Sequence, residues 1–245
     1  TVYLFCDEFT NYNDVAIGKK AIGLLEKLGY TVIIPQHLES GRTWLSKGMV
    51  KKATQIINRN IEYLSPLISA ETPLIGIEPS AIITFRDEYP DLAAEKWLAA
   101  AKELAKHSLL IDEFLAAEVK AGNIRSEQFT TETREIQLHG HCQQKALSKL
   151  SDTVSILSLP KNYTVNVIPS GCCGMAGSFG YEKEHFEVSN RIGELVLFPA
   201  VRNKKAGMIT AAPGTSCRHQ IKDGTGEVAL HPVEILYDAL MDTNE

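Results

Sequence analysis

Residues 163–180 read YTVNVIPSGCCGMAGSFG. The first six are β-prone residues that end at Pro169, which predicts a short strand. Glycines at 171, 174, 177 and 180 follow, and a helical pattern begins near residue 183. The same order recurs on either side. EIQLH at 135–139 predicts a strand that leads into HC and a helix, and GMIT at 207–210 leads into AAPGTSCRHQI. Strands that alternate with helices predict mainly parallel sheets covered by helices.

The N-terminal half follows the same plan. Strands are expected at VYLF 2–5, YTVIIP 30–35 and PLIGI 73–77. Val15 to Leu28 have helical spacing that stops at Gly29, a C-terminal cap. Further helices are expected over 46–64, 183–198 and 232–241, the last with Pro232 in its first turn. Residues 91–121 read as one long helical stretch or two helices that meet near His107. The halves match in order at a period of about 135 residues. VYLFC resembles EIQLHGHC, YTVIIPQHLESGRTWLSKG resembles the quoted stretch, and PLIGIEPSAIITFR resembles GMITAAPGTSCRHQI. Cys6 is thereby matched with Cys142, Glu39-Ser40-Gly41 with Cys172-Cys173-Gly174, and Ala81 with Cys217. The expected fold is α/β: two pseudo-symmetric repeats, each a mainly parallel sheet flanked by helices. The repeats are expected at 1–125 and 126–245, with the join near 122–132, where apolar periodicity fades.

The chain has 245 residues, 44% hydrophobic and 22% charged, enough apolar material for a real core. Thirty acidic residues outnumber 25 basic ones for a net charge of −5, with no basic block, which argues against nucleic acid as a partner. No apolar run reaches the roughly 20 residues of a membrane span, which leaves peripheral membrane association open. No secretory signal is visible, and a cytoplasmic location is expected. A strand-like run at the very first residues suggests a piece of a longer protein.

Five cysteines, Cys6, Cys142, Cys172, Cys173 and Cys217, do not suit a disulfide scaffold. Four of them follow predicted strands of the second half. Loops at the carboxyl ends of parallel strands converge on one edge. Four thiolates gathered there select an iron–sulfur cluster or zinc. Glycines let the backbone fold closely round a bulky group with its N–H groups turned inward, which favours the cluster. Cys6 reads as a small buried hydrophobe, since Glu39, Ser40 and Ala81 stand where its partner thiols would be. His139, His141 and His219 flank the thiols as ligands, proton donors or hydrogen-bond partners, or simply as polar loop residues. A Cys217–His219 nucleophile pair is an alternative, but it leaves the adjacent cysteines unexplained. The glycine loop lacks both the dinucleotide fingerprint and a Walker ending.

The stretches HGHCQQKAL, PSGCCGMAGSFGYEKEHFEVSNRIGE, APGTSCRHQI and HPVEILYDAL resemble the cysteine-rich CCG domain family. That domain occurs in heterodisulfide reductase and in the iron–sulfur subunit of glycolate oxidase. The likeness extends to the C-terminal region of FAD-linked oxidases and covers nearly the whole chain. It implies an electron-transfer region of an oxidoreductase acting on a 2-hydroxy acid or similar substrate. FAD would belong to an upstream domain or partner subunit, from which electrons pass to an acceptor. It further implies that Cys142, Cys172, Cys173 and Cys217 bind a 4Fe-4S cluster, with zinc as the alternative metal in a structural module. The family pattern ends in Cys-x-x-Cys, and Gly214 stands at the first of those positions, which argues against a five-thiol cluster. The first repeat is expected to hold no cluster and to serve as a packing partner.

Overall fold

In the computed structural model, which describes residues 1–241, each half of the chain is built on its own four-stranded sheet. The chain divides into one unit from Thr1 to Phe114 and a second from Leu115 onward. The first sheet contains β1 (Val2–Phe5), β2 (Val32–Ile33), β3 (Leu74–Gly76) and β4 (Ser108–Leu110). The second contains β5 (Arg134–Leu138), β6 (Tyr163–Val167), β7 (Ile209–Ala211) and β8 (Ala229–Leu230). Spatial order is β2-β1-β3-β4 in one and β6-β5-β7-β8 in the other, and every pairing is parallel. The two halves therefore share one topology, as the α/β repeat reading expected.

Parallel neighbours need crossovers, and helices supply them. In the first unit Val15–Lys27 carries the chain from β1 to β2, and Val50–Leu64 runs between β2 and β3. Ala53, Ile57, Ile61 and Leu64 of the latter helix pack with Phe5, Leu74, Phe85 and Tyr89 in one buried core. The core of the second unit joins Ile168, Met175, Leu197, Phe198, Val201 and Ile221. Its last helix, Pro232–Ala239, has a reciprocal cap. The Val233 N–H donates to His231 Nδ1 (3.0 Å), and the His231 N–H donates to Glu234 (2.9 Å).

Several elements differ from expectation. The stretch 91–121 is broken by β4, with helices Leu98–Lys106 and Ile111–Ala121 on either side. Three residues cannot show a strand period against helical neighbours, and Ser108–Leu110 are extended because they pair with Leu74–Gly76. β8, two residues long, was invisible for the same reason. The helix expected over 46–64 begins later, as Val50–Leu64, and a separate short helix, Arg42–Ser46, precedes it. The region 183–198 is a 3₁₀ turn at Lys183–His185, then helices Phe186–Leu195 and Leu197–Arg202.

Strand order reverses between β1 and β3, and again between β5 and β7. At such switch points the loops leaving adjacent strand ends diverge and open a crevice at the carboxyl edge. The second-half cysteines all lie on loops or helix starts at that edge.

Candidate metal centre

Cys142 is the first residue of the helix Cys142–Leu147, which follows β5. Cys217 is the third residue of Thr215–Thr225, which follows β7. Cys172 and Cys173 lie in the loop after β6. The structure brings all four thiols into one chain of contacts: Cys142 hydrogen-bonds to Cys172, Cys172 to Cys173, and Cys173 to Cys217. Exposure falls along that chain, from the exposed Cys142 through half-buried Cys172 to Cys173 and Cys217, which are 3% and 1% exposed.

The thiols perturb one another in alternating directions. The Cys142 thiol is held well above its ordinary range, mainly by its contact with Cys172 and then by burial. Cys172 is pushed far down because it accepts from Cys142, then from Cys173 and from the backbone N–H groups of Gly174 and Ala176. Its Sγ lies 3.3 Å from the Gly174 nitrogen. Cys173 is pushed up by its contacts with the Cys172 and Cys217 sulfurs, and then by burial. Cys217 is lowered, first by the bond from Cys173, with His139 and His141 beside it. Four sulfurs so placed repel one another as thiolates, and a shared cation removes that repulsion.

The loop around Cys172 and Cys173 is held from several sides. Lys145 donates to the carbonyls of Ser170 (2.8 Å) and Gly171 (2.6 Å). Gly174 has φ +106°, and a Cβ there would press into the Ser189 carbonyl and reach within 3.1 Å of Gln220 Nε2. Gln220 in turn donates to the Ser189 carbonyl (3.2 Å) and hydroxyl (3.0 Å). Before Cys217, the buried Arg218 guanidinium donates to the carbonyls of Ala212 (3.1 Å) and Pro213 (2.7 Å). Gly214 faces the His141 ring, and a Cβ there would overlap it and lie 3.4 Å from Cys217 Sγ. Lys145, Ser170 and Gln220 were not anticipated, because their partners are 25 to 31 residues distant.

The three histidines part company. His219 Nδ1 lies 2.7 Å from the Tyr181 hydroxyl. His141 stands at the N-terminal boundary of the Cys142 helix, with no capping bond from its side chain, and is 4% exposed. His139 is 1% exposed, and one of its ring nitrogens lies with the Sγ atoms of Cys173 and Cys217 in a group spanning no more than 4.8 Å.

The first unit fills the matching positions differently. Its first helix, Glu8–Tyr12, starts at Glu8 with Asp7 as cap, so Glu8 stands where the second unit has Cys142. Cys6 instead comes one residue after β1, as His139 does after β5, which corrects the Cys6–Cys142 match. Nor is Cys6 buried: it is half-exposed, and its thiol makes only a 3.8 Å contact with Asn11 Oδ1. Ser40 donates to Glu8 through its N–H (2.8 Å) and its hydroxyl (2.7 Å). The Tyr89 hydroxyl donates to the Ser40 carbonyl (3.0 Å) and accepts from Asn60 (2.8 Å). Arg42 donates to the Ser80 carbonyl (3.2 Å) and Thr84 hydroxyl (3.1 Å) and pairs with Glu88. Oxygen and nitrogen groups thus satisfy one another where the second unit gathers sulfur.

No family model matches the chain. Curated relatives do. The chain is similar to D-2-hydroxyglutarate dehydrogenase of Escherichia coli (strain K12), 27% identical over 242 residues. That match covers 98% of this chain and 23% of the relative. It is also similar to one subunit of the anaerobic glycerol-3-phosphate dehydrogenase of the same organism, 25% identical over 234 residues, covering 95% of this chain and 57% of that one. Lactate utilization protein A of Anoxybacillus flavithermus is 24% identical over 184 residues, with 73% and 74% covered. The chain therefore spans about a quarter of the length of the dehydrogenase it matches across its whole extent. No helix among the described residues is long and apolar enough to cross a membrane.

Proposed function

We propose that this chain is the electron-carrying part of a larger oxidoreductase, with a 4Fe-4S cluster held by Cys142, Cys172, Cys173 and Cys217. The observation that carries the reading is the unbroken run of four thiols drawn from three strand ends. Its donor chemistry is soft, and the buried Nε2 of His139 has no oxygen or nitrogen partner among the described residues, as fits a site shaped for a metal. An iron–sulfur cluster bound there accepts and passes on single electrons.

The residues around it have definite tasks. Gly174 and Ala176 aim N–H groups at Cys172, a contact that stabilises charge on sulfur. Met175, Ile168 and Phe198 keep the inner side dry. Cys142, at the exposed end, faces solvent, where an electron partner can approach. The dehydrogenase names of the relatives support an oxidoreductase acting on a 2-hydroxy acid or similar substrate. The electron donor in this reading is a flavin-bearing domain or partner protein, and a separate acceptor takes the electrons.

Anaerobic purification of the full chain with iron and sulfide tests this. Iron and sulfide in equal amounts with a visible absorbance band are expected, lost in Cys217→Ser and kept in Cys6→Ser. A colourless protein with one zinc and no sulfide overturns the redox reading in favour of a zinc-stabilised module.

A further inference from the structure

His139 is the first residue after β5, and the register Leu138↔Ala211 sets it beside the strand that leads to Cys217. Its ring is almost wholly buried, and the two nitrogens have different surroundings. Nδ1 lies 2.7 Å from the Ser170 hydroxyl. Nε2 is buried with no oxygen or nitrogen partner among the described residues. One nitrogen shares a 4.8 Å group with the Sγ atoms of Cys173 and Cys217. With Nδ1 engaged by Ser170, the nitrogen left for the sulfurs is Nε2.

We propose that Nε2 of His139 is a direct ligand of the metal centre, so that the donor set is mixed sulfur and nitrogen rather than sulfur alone. The inference rests on the reading of this site as metal-binding and gives the centre one nitrogen donor in place of an all-sulfur set. A ligating imidazole offers a lone pair from one nitrogen and donates the other N–H to an oxygen, which fixes the tautomer and aims the ring. Ser170 Oγ is that oxygen here. Lys145 holds the Ser170 carbonyl, so the orienting hydroxyl is itself anchored. Donors on one tetrahedral ion stand about 3.5–4 Å apart, given metal–ligand bonds of about 2.0–2.3 Å. A group spanning at most 4.8 Å is close to that spacing for a single ion, and on a four-iron cluster the same donors take separate irons.

A purely structural histidine is the competing explanation. In it Nε2–H hydrogen-bonds to the Cys217 sulfur. A ligating Nε2 instead carries no proton and gives its lone pair to the metal, the difference that nitrogen hyperfine coupling reads. His139 lies in one compact buried group with the two innermost sulfurs, those of Cys173 and Cys217.

The test uses the full chain labelled with nitrogen-15 at histidine, reconstituted with iron and sulfide, reduced, and examined by pulsed EPR. A strong histidine-nitrogen hyperfine coupling is expected in wild type, retained in His219→Gln and lost in His139→Gln. His139→Cys keeps a ligand and should retain metal without the nitrogen coupling, at a more negative reduction potential. A loaded chain without that coupling, or with it unchanged in both His139 variants, overturns the inference. A chain that takes up zinc and no cluster sinks the iron–sulfur reading alone. Zinc-edge X-ray absorption then decides the ligand, since imidazole outer-shell scattering should appear in wild type and vanish in His139→Cys. Its absence in wild type refutes His139 ligation without any variant having to fold.

Discussion

Replacing Asp7 by asparagine isolates the acidic edge of the first repeat. Asp7 is fully buried and caps the helix Glu8–Tyr12, and Oδ1 accepts the N–H groups of Phe9 and Thr10 at 2.9 Å each. Burial, and then the nearby Glu78 carboxylate, push its carboxyl up from the usual 3.8 to about 7, against the opposing pull of Thr10. Folding therefore favours the protonated form. Its contribution is complete below pH 4, is lost as pH rises from about 4 to about 7, and is gone above that. A displacement of that size corresponds to about 4 kcal/mol. Asparagine keeps the capping oxygen and cannot ionise. Asp7→Asn should match wild type near pH 4 and become the more stable by up to about 4 kcal/mol at pH 8. The two tryptophans, Trp44 and Trp97, both pack on the core of the first unit, so denaturant titrations followed by their fluorescence report on this half alone. A stability difference between wild type and variant that stays constant from pH 4 to pH 8 refutes the argument.

Other perturbations probe the second unit and the network that replaces sulfur in the first. Gly174→Ala forces a side chain into a left-handed backbone and against the Ser189 carbonyl. A loss of about 2–5 kcal/mol is expected, combining backbone strain and overpacking, visible as a lowered circular-dichroism melt and weaker metal retention. An unchanged melt would show that the loop relaxes freely. Tyr89→Phe removes the hydroxyl that serves Ser40 and Asn60, and should cost about 1–3 kcal/mol by tryptophan-monitored unfolding. Asn60 keeps its 2.8 Å bond to the Glu39 carbonyl, so the helix Val50–Leu64 should stay docked.

The amino-acid sequence by itself determined the layered plan. VYLF, EIQLH and YTVNVI carry strand composition, helical periods lie between them, and such alternation has few solutions other than parallel sheets. It also determined that Cys142, Cys172, Cys173 and Cys217 leave strand ends on one edge. Tertiary structure alone decided the rest. Ser108–Leu110 and Ala229–Leu230 are extended only because a neighbouring strand pairs with them. Glu8 takes the place matching Cys142 because two residues separate β1 from its helix and three separate β5 from its own, a detail of loop length that no pattern match resolves. His139 differs from His141 and His219 only through contacts to Ser170, Cys173 and Cys217, residues 31 to 78 positions away. A side chain's partners across such distances depend on strand register and on the path of the glycine loop, neither of which local composition encodes.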